Sequence, residues 1–436
     1  MDAEHTPSNS GPRMKLAAAQ VGGAAIIVAI ASYVAQFLAA RWLGPADYTT
    51  FAVFWAVLFI VVGTLSGAGQ EVVRVSRVDK IQRDANLAPD HDRSHPRIGV
   101  IAIAIGCGTA AVVLLTGLVW APPAFGADWL PRLVLLSSAG VFVSGTLAVG
   151  SMFAGLARWR AYAMLVTLEG VARIVFFVFA ALLLPNVLGF SIAAVLAFAP
   201  GVLVGLLWAP LRRETFTTRS DSPVGLSTTR IIRSMAASTL SSVLLVGWPA
   251  LLSAAAGVNP RGSSAVSLGV LILLVTLTRA PLLVPLTSFQ NALVARFTGL
   301  GLSDRRRWVG MGIGIIVGAS CVLAALAALF GPPLLPLVFG DAYRAGPGIV
   351  AALTGAAAGL GIITLTGVAA ITSGGHSLYL LGWLVAIVVA LLVVFLAPLP
   401  FEWATVVAVV AGPLVGAAVQ LGALRRPGIR SGSEAA

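Results

Sequence analysis

Long apolar runs recur along the whole of this chain, and few folds can accommodate them. They fall near residues 16–40, 48–70, 98–120, 132–153, 161–184, 189–211, 231–256, 265–290, 308–330, 348–371, 378–397 and 404–424. Many reach the roughly 20 residues that a helix needs to cross the hydrocarbon of a bilayer. The short alternating segments of a membrane β-barrel are not what the sequence shows. Composition agrees: 58% of the residues are hydrophobic and 10% charged, against about 25% charged in an ordinary soluble domain. The expected fold is an all-α polytopic membrane protein of about twelve transmembrane helices, with little mass outside the bilayer.

The formal charge is +12. In a soluble protein that balance points to nucleic acid, but the sequence holds no zinc-finger spacing, phosphate-binding loop or aromatic RNA-binding strand. No nucleic-acid partner is expected. In a membrane protein the basic residues set orientation instead. With the N-terminus inside, 22 of the 28 Lys and Arg fall on the inner side, from Arg13 and Lys15 to Arg426 and Arg430. Arg41, Arg132, Arg261 and Arg344 fall outside, and Arg173 and Arg279 lie within spans. Both termini are therefore expected to be cytoplasmic. The polar start, Met1 to Lys15, followed by an apolar run to about Ala40, reads as an uncleaved signal anchor. Cys107 and Cys321 read as small buried apolar residues within spans, with no disulfide or metal framework.

A gap-free shift of 214 residues lays the first six spans on the last six. Cys107 then falls on Cys321, Gly117 on Gly331, Phe125-Gly126 on Phe339-Gly340, and Arg212 on Arg426. A six-span repeat has even parity, so both copies start from the same side. They are parallel repeats about an axis along the membrane normal. Two parallel six-helix lobes facing each other leave a central cavity, and rocking one against the other gives alternating access. The expected organisation is an N-terminal lobe over residues 1–211, a cytoplasmic linker over 212–230, and a C-terminal lobe over 231–436 ending in a short cytoplasmic tail.

Ionisable groups inside a membrane are costly and mark function by default. Arg279 lies near the middle of the eighth span, followed by Pro281 and Pro285. Prolines remove backbone donors and bend or unwind a helix. A cation at such a bend is a candidate anion-binding residue, with the two prolines as candidate gating positions. The alternative is an arginine that caps carbonyls at the kink. Glu169 and Arg173 stand at i, i+4 in the fifth span and share a face. They form either an internal pair that lowers insertion cost or a pair from which an anionic ligand releases Arg173. Glu169 is also the candidate protonatable coupling residue. Gln36, beside Tyr33 in the first span, adds a polar position and a candidate contact, and Gln290 and Asn291 end the eighth span. Trp248-Pro249 marks a kink in the seventh. The charged segment 71–97, with His91 and His95, reads as a solvated loop without metal-type spacing. The largest expected outer loop, 331–347, holds one acid, Asp341, and the link Arg41–Asp47 only Asp47, too few for the paired acids of a membrane glycosyltransferase. No enzyme, metal or cofactor is expected.

Three short stretches carry a family resemblance, two of them links between spans. Ala39-Ala-Arg-Trp-Leu43-Gly44-Pro45-Ala-Asp47-Tyr48-Thr-Thr-Phe51 resembles the link between the first two spans of Wzx-type bacterial polysaccharide flippases. Leu337-Val-Phe339-Gly340-Asp341-Ala-Tyr343-Arg344 resembles the stretch after their ninth span, and Arg279-Ala-Pro281 with Phe289-Gln290 their eighth-span pattern. Thr49 stands where a glycine is common. That family belongs to the multidrug/oligosaccharidyl-lipid/polysaccharide exporter (MOP) superfamily. The resemblance implies a bacterial plasma-membrane protein that moves an undecaprenyl-diphosphate-linked oligosaccharide from the cytoplasmic to the outer leaflet. Its partners would be that polyprenyl-linked glycan, the bilayer, and a polysaccharide polymerase or glycosyltransferases. Related lipid II flippases bind the diphosphate with cavity arginines. Arg279 matches the eighth-span one; the first- and second-span ones have no counterpart, which puts lipid II in doubt as the substrate. A multidrug or metabolite antiporter and a non-transporting assembly protein of an envelope polysaccharide complex are the alternatives.

Overall fold

The computed structural model describes residues 11–84, 97–218, 224–258, 266–281, 293, 296–297, 301–373 and 375–422. Among them the chain is helical almost throughout. The first helix, α1 (Gly11–Asp84), has 74 residues, about 110 Å at 1.5 Å per residue, far more than one bilayer. Gly44 breaks it, at φ 70, a conformation that glycine adopts without a Cβ penalty. Pro45 then starts the second half, where its missing N–H costs little.

That second half runs further than the sequence indicates. Residues 71–84 belong to the helix, not to a solvated loop, because the helix stays amphipathic past its apolar run. Val72 and Val75 are buried in one cluster with Ile98, Met152, Phe153 and Leu165. On another face Arg74 pairs with Glu71 at 2.6 Å. Asp79 is buried and accepts a hydrogen bond from Thr218 Oγ1 at 3.4 Å, while Lys80 Nζ donates to the Leu156 carbonyl at 3.2 Å. His91 and His95 lie outside the described residues.

One turn of 3-10 helix, Gly126–Asp128, joins α2 (Ile98–Phe125) to α3 (Trp129–Gly155). α4 (Trp159–Leu183) follows. α5 (Val187–Leu196) and α6 (Ala199–Leu207) together make the sixth span. Asn186 caps α5 by accepting from the Gly189 N–H at 2.9 Å. The linker expected at 212–230 is largely helical. It is shared between α7 (Ala209–Thr217) and the start of α8 (Val224–Val246). Glu214 on α7 takes two 2.8 Å bonds from the Arg158 guanidinium, which fixes α7 to the α3–α4 turn.

α8 and α9 (Trp248–Val258) meet at a 69° bend, where Trp248-Pro249 predicts a kink. α10 (Leu268–Leu277) opens the eighth span; Pro285, Gln290 and Asn291 lie outside the described residues. α11 (Leu302–Phe339) is longer than the 308–330 run and contains Pro332, Pro333 and Pro336. In a membrane helix the carbonyls that prolines leave unpaired find other partners, so the helix continues. The outer loop expected at 331–347 therefore shrinks to the few residues after Phe339. α12 (Pro347–Thr372), α13 (His376–Leu396) and α14 (Phe401–Leu421) complete the chain.

Eight helical stretches among the described residues are long and apolar enough to cross a membrane. Two of them, of 63 and 58 residues, are each two spans, divided at Gly44 and at Gly126–Asp128. With the bent α8–α9 pair added, eleven of the twelve expected spans lie among the described residues; of the eighth, α10 is described and residues 282–290 are not. Cys107 and Cys321 do lie in helices, but both are exposed rather than buried. A membrane helix turns small apolar residues outward to lipid as readily as inward.

Contacts divide the chain into two compact units. The first draws on the described residues of Met1–Ala39, Val61–Pro122 and Ala127–Ser238. The second draws on those of Ala40–Ile60, Pro123–Gly126 and Thr239–Ala436, and so takes in the link between the first two spans. Inside the second unit α13 and α14 touch backbone to backbone: a Cβ on Gly382 would lie 2.8 Å from the Gly416 carbonyl oxygen. Thr366 Oγ1 donates to Gln420 Oε1 at 2.6 Å, with both residues fully buried. Close backbone approach and interhelical hydrogen bonds hold membrane helices together where hydrophobicity gives no preference.

Candidate functional site

In the first unit the expected pair on α4 is present and enclosed. Arg173 is 1% exposed. Its Nη2 donates to Glu169 Oε1 at 2.6 Å, and its Nη1 to Ser32 Oγ on α1 at 2.8 Å. The guanidinium carbon lies 5.6 Å from the centre of the Phe198 ring, within cation–π range. Ser32 in turn donates to the Val28 carbonyl at 2.8 Å. Gln36, one turn further along α1 from Ser32, is buried at 5% exposure. Glu169 keeps 17% of its side chain exposed. The i, i+4 pair could be read from the sequence. Ser32 and Phe198 could not, because a partner 141 residues away leaves no local signal.

Arg279 belongs to the second unit and is held differently. It lies just past the end of α10 and is 6% exposed. Its Nε donates to the Val275 carbonyl at 2.6 Å and its Nη1 to the Leu245 carbonyl at 3.0 Å. Both carbonyls belong to last turns, Leu245 in α8 just before the bend and Val275 in α10. Last-turn carbonyls have no donor within their own helix. A cation there also complements the negative end of the helix dipole. This geometry is the one the capping role requires. Pro281, two residues on, is exposed.

The two links that carry the family resemblance meet in this same unit, which the sequence did not reveal. Tyr343 Oη donates to the Ala40 carbonyl at 2.9 Å. The Tyr343 and Tyr48 rings stand edge to face, 6.5 Å apart, and Phe339 flanks Tyr343 at 5.8 Å. Gly340 has φ 106, a conformation strained for any residue with a Cβ, and the Arg41 guanidinium packs 2.8 Å from where a Cβ would lie. Burial holds the Tyr343 phenol above its ordinary range, so it remains a hydrogen-bond donor at physiological pH. A further buried arginine, Arg305, donates to the Phe297 and Thr372 carbonyls at 2.8 and 3.2 Å and to Ser373 Oγ at 2.6 Å. That cation, which the charge count expects on the inner side, is a structural cap.

The fold is that of a polytopic helical membrane protein with buried cations among its helices. Its backbone is similar to an inward-facing multidrug-resistance MATE family transporter of the MOP superfamily, with a TM-score of 0.68 at 15% identity over 90% of this chain and 93% of that one. It is similar to a MOP superfamily transporter from Pyrococcus furiosus, described as having a binding pocket of reversed polarity, with a TM-score of 0.64 at 15% identity over 94% and 96%. Residues 20–298 match the family of polysaccharide biosynthesis proteins, and the chain belongs to that family. Two uncharacterized proteins of Mycobacterium tuberculosis H37Rv are relatives over nearly the whole length. Rv1510 is 33% identical over 98% of this chain and 96% of its own, and Rv3630 is 34% identical over 94% and 92%. The resemblance carried by the short motifs holds at the level of family and fold.

Proposed function

We propose that this membrane transporter moves a polyprenyl-diphosphate-linked oligosaccharide from the cytoplasmic to the outer leaflet of a bacterial plasma membrane by alternating access. The observation that carries this reading is the guanidinium of Arg279, buried in a span at the ends of two helices and bonded to main-chain carbonyls. The Val275 and Leu245 carbonyls accept from it, and a neutral carbonyl does not cancel a charge. Each such bond already has an ionised donor and is worth about 1.5–3 kcal/mol net; a diphosphate adds an opposite charge and a bidentate geometry that carbonyls do not offer. A diphosphate reaching Arg279 therefore displaces the carbonyls at a gain. Their release frees the α8 and α10 ends, which couples binding to helix movement at Pro281 and Pro285. Arg173, neutralised by Glu169, is a second anion contact once that pair opens, with Gln36 one turn along α1 from its partner Ser32.

Membership in a polysaccharide biosynthesis family supports a glycan cargo, and buried cations favour an anionic lipid over a cationic drug. The test is delivery of lipid-linked glycan to the outer leaflet in cells lacking the native gene, for the wild type and for Arg279 variants. Orientation is tested separately. In a cysteine-free background, a cysteine at Ser263 reacts with an impermeant thiol reagent in intact cells and one at Ser94 does not. Labelling at 94 from outside contradicts cytoplasmic termini.

A further inference from the structure

The first unit contains a groove that the chemistry above does not use. It has a volume of about 840 Å³ and lies between the start of α1 and α4, with Phe153 of α3 and Val204 of α6 on its floor. One close crossing sets its shape. At Gly170 the missing side chain brings α4 against α1, where a Cβ would lie 3.2 Å from Ile27 Cγ2. Between that crossing and Arg160 the two helices leave a wedge open. Gly23 and Ala24 on α1 and Ala161 and Ala163 on α4 line it and are too small to fill it.

Three observations specify an occupant. The groove follows α4 from Arg160 to Val171, about 16 Å of helix, which is close to one leaflet of a roughly 30 Å hydrocarbon core. Its rim residues Met164, Leu168 and Val171 are exposed and continue into exposed Val175, Val178 and Leu182. That stripe at i, i+4, i+7 is the face a membrane helix turns to lipid, so the groove opens sideways to hydrocarbon. Arg160, Gln20 and Trp208 lie at the end away from the crossing, and Thr167 is the one polar lining residue nearer to it. Arginine and indole are the side chains that settle at headgroup level. Arg158 nearby is already paired with Glu214, while Arg160 is exposed and makes no ion pair among the described residues.

We infer that this groove seats the polyprenyl chain of the lipid-linked substrate in the inner leaflet, with Arg160 on its phosphate. The inference rests on the transport reading, which makes a polyprenyl phosphate the cargo. A leaflet-deep apolar groove with one cation at its mouth complements a long chain ending in an anion.

The experiment uses full-length protein in detergent, offered equal amounts of undecaprenyl monophosphate and phosphatidylglycerol. Lipid retained after gel filtration is measured by mass spectrometry. Wild type retains the polyprenyl phosphate in preference. Thr167→Trp, which fills the groove, loses that preference. Arg160→Gln, at an exposed position that leaves folding intact, weakens retention about tenfold, as expected for losing a charged hydrogen bond. Val322→Trp, on an exposed face of α11, matches wild type. Equal retention of phosphatidylglycerol by wild type overturns the inference, as does wild-type retention by both groove variants. Glycan delivery is scored in parallel. Wild type that holds polyprenyl phosphate in the groove but delivers no glycan overturns the transport reading alone. Delivery by wild type with unchanged retention in both groove variants overturns the groove alone.

Discussion

Arg173 and Arg279 bring the same charge into the membrane, and the two units offset it by different means. Around Arg173 the offset is side-chain chemistry: a carboxylate, a hydroxyl and an aromatic face, all within the first unit. Around Arg279 it includes main-chain carbonyls at two helix ends in the second. An arginine at mid-membrane costs at least roughly 2.5–3.5 kcal/mol on insertion scales, so neither arrangement is incidental. The first is a closed pair, and opening it strands a buried carboxylate. The second exposes helix ends when it opens, and helix ends can re-form elsewhere. On the proposed function, Arg173 serves mainly stability and Arg279 mainly movement.

The largest expected effect breaks the first arrangement. Arg173→Leu leaves Glu169 unpaired and costs about 3–5 kcal/mol, whereas Glu169→Leu with Arg173→Leu together recovers most of that loss. Thermal unfolding of the purified protein, with its level in the membrane, reads both. A double variant as unstable as the single one shows that the acid is not what Arg173 serves. A smaller effect is expected at the second unit's inner end. Arg305→Ala leaves the carbonyls of Phe297 and Thr372 without their donor, at about 1–3 kcal/mol, again read by unfolding. The smallest is at the link. Tyr343→Phe removes only the bond to the Ala40 carbonyl, about 0.5–1.5 kcal/mol, and keeps the ring against Tyr48. If that bond closes the link during the transport cycle, Tyr343→Phe changes the transport rate with little change in unfolding temperature. An unchanged rate reduces the contact to packing.

The same contrast shows what the sequence could reveal. Spans were legible because the hydropathy of a twenty-residue run depends on local composition alone. The Glu169–Arg173 pair was legible because i, i+4 is a fixed helical distance. Helix ends were not: Val72 and Val75 extend α1 through packing, and Pro332, Pro333 and Pro336 sit inside a helix because neighbours in a membrane protein tolerate them. Ser32, Phe198 and Leu245 entered the sites through tertiary contact only. The meeting of Tyr343 with Ala40 was hidden for the same reason, although both stretches stood out separately as motifs.

The central claim is that Arg279 exchanges carbonyl oxygens for phosphate oxygens during transport. The direct measurement is outer-leaflet delivery of lipid-linked glycan in cells lacking the native gene, with protein level measured alongside. Lysine keeps the charge but loses the planar fork, and alanine or glutamine loses the charge. The account predicts wild type first, Arg279→Lys partly impaired, and Arg279→Ala or Arg279→Gln nearly inactive, all at near-normal protein levels. Arg279→Ala made in normal amounts and transporting at the wild-type rate would contradict it and leave Arg279 as a helix cap.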